Sequence, residues 1–443
     1  MGIACELARG NTCDPGRIAR LAVLMAALAA TAALAPARAD FGAPVTLSTG
    51  GGDAFQPQVA VDRVGNAVVV WPRFDGANYR IQSRARSAAG ALGPIQNLSP
   101  AGQSAFDAQV AVDADGDAVA VWARTDGIIQ ARGRSAAGAL GPIQNLSQAD
   151  RDAFAPRVAV RGNGNGVVVW YRDDGANFRI QARTRIAAGA LGGIQTLSQP
   201  GQDAFSPQVA VDANGNAVVV WFRSDGTNFR IQARTRSAAG VLGPIRTLSQ
   251  PGQHAINPQV AIDANGNAVV VWSRSDGTRT RIQARTFSAG SVVGPIRTLS
   301  QAGQNAINPQ VALRPNGNAV VVWSRFDGAN DRIQARTFSG GGALGPIRNL
   351  SQPGQNAADP QVALRRNGDA AVVVWSRSDG TNDRVQARTL STASVLSPIQ
   401  NLSRPGQNAN VPQVAVDIQG DALAVWARLD AAANSRIQAA AGP

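Results

Sequence analysis

No lysine occurs anywhere in this chain. All 42 basic side chains are Arg, set against 29 acidic ones, for a formal net charge of +13 over 443 residues. Glu6 is the one Glu, His254 the one His, and Cys5 and Cys13 are the two Cys. Each shortage removes a class of function. A Cys/His zinc cluster cannot be assembled, and no disulfide framework can brace the fold. A Ser/His/Asp hydrolase would have to be built on His254 alone. Aromatic residues are 5% of the chain, thin for a surface that stacks nucleic-acid bases. Apolar residues, by contrast, reach 44%, which excludes a disordered chain, and no run after residue 39 is long enough to cross a bilayer.

Residues 1–39 read as a secretory leader. Arg17 and Arg20 form a basic flank, Leu21 to Ala35 an apolar stretch of signal-peptide length, and Ala37-Arg38-Ala39 a small-x-small cleavage site. A membrane anchor is the competing reading, but the stretch is short for a span and ends at Pro36. Cleavage near Ala39 would leave residues 40–443 as a single domain, secreted or periplasmic, with 38 Arg against 27 Asp and no Cys, Met or Glu.

Internal repetition dominates the rest. Trp71, Trp122, Trp170, Trp221, Trp272, Trp323, Trp375 and Trp426 are spaced by 51, 48, 51, 51, 51, 52 and 51 residues, each inside nearly the same sentence. The fourth copy, residues 207–249, reads PQVAVDANGNAVVVWFRSDGTNFRIQARTRSAAGVLGPIRTLS. Strand A is the alternating PQVAVD, and the Asn-Gly of ANGN is a strong hairpin signal. Strand B is NAVVVWFR, β-branched with an aromatic end. SDGTN turns the chain into strand C, RIQART; SAAGVLG turns it again into strand D, PIRTLS. SQPGQ leads to the next copy, and nothing has helical periodicity.

Four antiparallel strands per copy, eight copies over, describe an all-β protein: an eight-bladed β-propeller. The ends of the chain argue for a closed ring. Phe41 to Ser48 (FGAPVTLS) matches strand D without a blade of its own, and the last copy stops after Arg436-Ile437-Gln438, a strand C without its D. Pairing the two completes the eighth blade and removes an open edge. Two four-bladed rings are the competing arrangement, but no linker separates the halves.

The repeat sentence PQVAVDxNGNAVVVW…DG…RIQAR resembles that of secreted bacterial β-propeller repeat proteins over essentially all of residues 40–443. It lacks the Gly-His…Trp-Asp signature of WD40 blades and the paired glycines of kelch. Its hairpin from Asp212 to Trp221 is distantly similar to the Asp-box hairpin of sialidases. The resemblance implies fold and compartment, and no particular activity.

In such a meander the B–C loops and D–A connections share one face, and the A–B and C–D loops share the other. The first face carries Asp, Asn, Gln and Ser with flanking Arg; the second carries mostly small residues. Binding on a rigid scaffold concentrates in polar loops, so the first face is the expected ligand face. Its repeated candidates are the Arg two places after each Trp and the Asp of the following turn: Arg73 and Asp75, Arg223 and Asp225, Arg274 and Asp276, Arg325 and Asp327, Arg377 and Asp379. Guanidinium and carboxylate groups suit bidentate contacts to sugar hydroxyls, carboxylates or sulfates, and repetition gives avidity. The competing reading is that each Arg pairs with a nearby Asp or stacks on its Trp.

One A–B turn invites calcium. Asp113, Asp115 and Asp117 place three carboxylates at alternate positions, although no late acidic ligand follows, and a plain hairpin is the simpler reading. No other cofactor is expected. An enzyme would break the symmetry, and breaks are few. The second copy is three residues short between Asp126 and Ile129. The third has Tyr171 beside Asp173 and Asp174, and the fifth has His254 in a solvated loop. The expectation is therefore an exported, non-enzymatic binding scaffold, monomeric, taking glycans, anionic envelope polymers or a protein partner. A polysaccharide-acting hydrolase or lyase with its site near the second and third copies is the alternative. Nucleic acid is disfavoured, because the Arg are spread evenly and export removes the opportunity.

Overall fold

The structure is a computed structural model; it describes residues 41–442 apart from 289, 315 and 366–369, and the leader expected over 1–39 lies outside them. Eight four-stranded sheets follow one another along the chain as eight blades. Blade 4 is representative: strand A Ala204–Val211, B Ala217–Ser224, C Phe229–Arg236 and D Arg246–Thr247, each antiparallel to the next. Its hairpins form where the sequence places short polar side chains beside glycine. Asp212 Oδ1 accepts the N–H groups of Asn214 and Asn216 at 2.9 and 2.8 Å, folding the A–B turn on itself. Asp225 does the same for Thr227 and Asn228 in the B–C turn, where Gly226 takes a φ of 98° that a Cβ would resist.

Two strands differ in length from the sequence expectation. Strand D is six residues long in blades 1 and 2 (Leu92–Asn97, Leu140–Asn145) but only two in blades 3 to 7. A serine hydroxyl continues the ladder where the backbone leaves it. The Ile231 N–H, for example, donates to Ser249 Oγ at 3.0 Å, and Ile81, Ile180, Ile282 and Ile333 repeat the arrangement. Strand A starts earlier than PQVAVD, because it tolerates its proline through a bulge. In blade 4 Ser206 and Pro207 together face the single residue Trp221, and the register resumes at Gln208. The residue before each proline takes a positive φ, as at Asn257 (53°) and Val411 (51°).

Each Trp is fully buried and packs into the blade before it. Eight apolar clusters sit at the eight junctions between blades. Val218, Val220, Ile231, Ala233 and Leu248 of blade 4 meet Ala255, Ala268, Val270, Trp272 and Phe287 of blade 5. The cluster of Leu47, Val425, Ile437 and Ala439 with Ala54, Val69 and Trp71 joins the last blade to the first. Both faces of each sheet are thus covered, and this explains the nearly unbroken apolar run of strand B. Arg from strand C adds a staple across seven of the junctions. Arg234 Nη1 donates to Leu197 O of blade 3 at 3.0 Å; Arg84, Arg132, Arg183, Arg285, Arg336 and Arg388 repeat the bond.

The ring closes as the chain ends imply. Val45–Thr46 pairs antiparallel with Ser435–Gly442 of blade 8, Val45 facing Ala439 and Thr46 facing Gln438. Ser48 Oγ accepts the Ile437 N–H at 3.0 Å, reproducing the serine ladder across the closure. Blade 8 has Ala440 where the others have the stapling Arg, and Phe41 fills that junction instead. Its backbone exchanges two bonds with the Gln400 amide, 2.7 and 2.6 Å, and its ring lies so near Gly442 that a Cβ there would come within 2.9 Å. Among the described residues no helix is long and apolar enough to cross a membrane.

Candidate functional site

The structure uses most of the loop Arg and Asp to set loop geometry. Arg223 donates from Nη2 to Pro200 O at 2.9 Å, tying the D–A connection to the end of strand B. Arg73, Arg274 and Arg377 do the same to Gly50, Pro251 and Pro353. Arg325 holds the equivalent half-buried position. The turn residues Asp75, Asp225, Asp276, Asp327 and Asp379 are exposed, and each Oδ1 accepts two backbone N–H groups of its own turn. Those amides hold all five carboxyls below the ordinary range. The paired cation is the first Arg of strand C, not the Arg after Trp: Asp225 Oδ2 lies 3.4 Å from Arg230, Asp276 3.7 Å from Arg281, Asp327 3.5 Å from Arg332 and Asp379 3.7 Å from Arg384.

The shortened second copy follows from the same logic. Its strand C, Ile129–Arg134, has lost that leading Arg, and Arg124 turns to Asp126 instead, 2.5 Å away. In the third copy Arg172 pairs with Asp150, Arg179 with Asp174 at 2.9 Å and Arg151 with Asp173 at 3.7 Å. Asp150 and Asp174 are held below the usual carboxylate range, Asp150 chiefly by Arg172 and Asp174 chiefly by the Asn177 amide; a general acid needs the opposite shift. Asp113 is buried, and its Oδ1 accepts the N–H groups of Asp115 and Asp117 at 3.0 and 2.9 Å. Burial pushes its carboxyl up. Among the described residues no three His, Cys, Asp or Glu side chains form a group placed to hold a metal ion. His254 is exposed and structural: its Nδ1 accepts the Phe229 N–H at 3.1 Å, a place taken by Ser104, Asp203, Asn305, Asn356 and Asn408 at other junctions.

The feature that breaks the symmetry of this face is aromatic. Phe154, Tyr171, Phe178, Phe205, Phe222, Phe229 and His254 form one chain of ring contacts from blade 3 to blade 5, with centroids 5.0 to 5.8 Å apart from each ring to the next. All six Phe and Tyr rings are half-buried. They sit beside the D–A connections and B–C turns, before the bulge in strand A, after Trp in strand B and at the start of strand C. Phe55, Phe74, Tyr79 and Phe106 make a smaller group in blades 1 and 2. From blade 5 on the same positions read Ile256, Ser273 and Thr280, then Ile307, Ser324 and Asp331. Sequence reasoning singled out Tyr171 and His254 but passed over the Phe beside them, because it followed the positions that repeat. The signal was present in three columns of the repeat that change character halfway along the chain.

On the ring axis, strand A residues line a polar cavity of about 350 Å³. Gln208, Gln259, Gln310, Gln361 and Gln413 contribute amides to it. Arg157 replaces Gln in blade 3, and Asp359 lies four blades further round. Burial pushes the Arg157 guanidinium down, with the Asp107 carboxylate opposing; burial and the Asp383 carboxylate push Asp359 up.

The chain matches no family model and no curated protein. Solved structures share its fold at low identity. A lectin, BP39L from Burkholderia pseudomallei, is 14% identical with a TM-score of 0.54, covering 80% of this chain and 100% of its own. Sqt1 from Chaetomium thermophilum is 13% identical at 0.54, covering 91% and 98%. The polysaccharide lyase Uly1 is 9% identical at 0.52, covering 91% and 99%. At such identities the likeness is one of fold.

Proposed function

We propose that this protein is an exported, non-enzymatic binding ring that takes glycans on its B–C and D–A face. The observation that carries this is the continuous aromatic run across blades 3 to 5. Aromatic faces carry partial negative charge and attract the partly positive C–H bonds of a sugar ring, while leaving its hydroxyls free for polar groups. Arg223 and Asp225, with Arg274 and Asp276, flank the run and supply such groups from loops already held rigid, which lowers the ordering cost of binding. Arg73 and Asp75, Arg325 and Asp327, and Arg377 and Asp379 frame the same face elsewhere. The leader over residues 1–39 directs export, with cleavage near Ala39, and the carboxylates near Tyr171 serve the fold rather than catalysis.

The test is saturable binding of the purified protein to neutral glycans at physiological salt, before and after Phe178→Thr with Phe229→Thr. Thr stands at the equivalent position in blade 5, so the substitution copies a side chain the fold already accepts. A loss of about tenfold or more in affinity is expected, with a melt that is lowered but still cooperative, since two half-buried rings and their contacts are removed. Neutral-glycan binding that ignores the double substitution would sink the proposal, as would its absence from the unaltered protein.

A further inference from the structure

The far end of strand C meets the outer strand of the preceding blade, and the two halves of the ring fill this place differently. In blades 2 to 4 the residue is Arg134, Arg185 or Arg236, and its Nε donates to Gln96, Gln144 or Gln195 at 2.9, 3.0 and 2.6 Å. Each Gln amide then donates to a glycine carbonyl in the next C–D turn, Gly138, Gly189 or Gly240. In blades 5 to 7 the strand C residue is Phe287, Phe338 or Leu390, each fully buried. The facing residue is no longer Gln but Arg: Arg246, Arg297 and Arg348.

Packing does not ask for these three cations. They stand at one register position, opposite Ala233, Ala284 and Ala335. All three are exposed, and among the described residues none has an ion pair or side-chain hydrogen bond. The segments that carry them, 237–249, 288–300 and 339–351, contain no acidic residue. Like charges in a row without counter-charge repel one another, a cost a structural role does not explain. Val241 and Val292, each 69% exposed, stand five residues before Arg246 and Arg297 in the C–D turns. Cations at a regular interval beside small apolar tips suit a chain of regular charge whose sugar rings present C–H faces. Three successive blades also turn through about a quarter of an eight-bladed ring, which a flexible polymer can follow and a flat bilayer cannot.

We infer that Arg246, Arg297 and Arg348 form a second binding surface, on the outer strands of blades 4 to 6, for a linear sulfated or uronic polysaccharide. It lies at the edge bearing the C–D turns, apart from the aromatic face, and does not depend on what that face binds.

The purified protein is titrated with heparin and with polygalacturonate at low and physiological salt. The triple variant Arg246→Gln, Arg297→Gln, Arg348→Gln is compared with Arg63→Gln, Arg279→Gln, Arg404→Gln, which removes the same charge from scattered exposed sites. The first triple should lose about tenfold or more in affinity and flatten the salt dependence, since fewer counterions are released; the second should lose less than about threefold. A preference between the two polymers assigns sulfate or carboxylate as the anion. Equal losses in the two triples would reduce the surface to general charge and overturn the inference. So would unaltered binding in the first triple, or equal dependence on these three Arg for anionic vesicles.

Discussion

Where blade 3 meets blade 2, buried Arg185 bonds Gln144 at 3.0 Å; where blade 6 meets blade 5, buried Phe338 takes the same place and Arg297 faces outward. The first solution keeps a guanidinium out of water, and burial pushes Arg134, Arg185 and Arg236 below the usual Arg range. The second buries only carbon. On the loop face the order reverses: aromatic rings crowd blades 3 and 4, and buried Ser273, Ser324 and Ser376 follow in blades 5 to 7. Apolar bulk moves from one end of the junction to the other on passing round the ring. Copies that look interchangeable therefore fill their junctions differently, and where Arg meets Gln the two residues bond as a pair.

The widest separation of the two halves should come from truncation. Phe338→Ala removes a full ring from a closed junction and should cost about 3–5 kcal/mol in urea unfolding. Arg185→Ala removes a desolvated cation and one good bond, and should cost about 1–3 kcal/mol. Equal losses would erase the distinction. A finer probe moves one solution into the other half. Arg185→Phe alone strips Gln144 of its donor and should cost about 1–2 kcal/mol; adding Gln144→Arg should restore most of it, with a coupling of about 1 kcal/mol. Strict additivity would show that the two positions are independent.

The smallest effect concerns the channel collar, where Asn257 and Asn308 of blades 5 and 6 are followed by Asp359. Because burial and Asp383 raise the folded pKa of Asp359 above its unfolded value, its ionised form weighs against the fold. Asp359→Asn should match the parent at acid pH, where both side chains are neutral. It should become slightly more stable as pH rises through the raised value. A variant less stable at neutral pH would contradict this assignment.

The blade count and the closure were legible because both rest on features that recur or stand orphaned: a Trp period and a strand D with no blade. The brevity of strand D was not, since Ser249 Oγ does the work of a backbone carbonyl and leaves no mark on β-propensity. The Arg–Asp series was legible as a set but not in its pairing; in most blades a third residue, the leading Arg of strand C, claims the carboxylate. The aromatic run and the free Arg row were hidden by the method that found the repeat, because they occupy the columns where the copies disagree.

The closing strand also orders events in time. Val45–Thr46 is made first and cannot pair until Ser435–Gly442 follows, nearly the whole chain later; the bond from Ile437 to Ser48 spans 389 residues. Until then the unclosed ring keeps one bare strand at each end. Until closure each copy is a ready acceptor for any neighbouring copy, so the concentration of folding chains sets how often rings close on themselves.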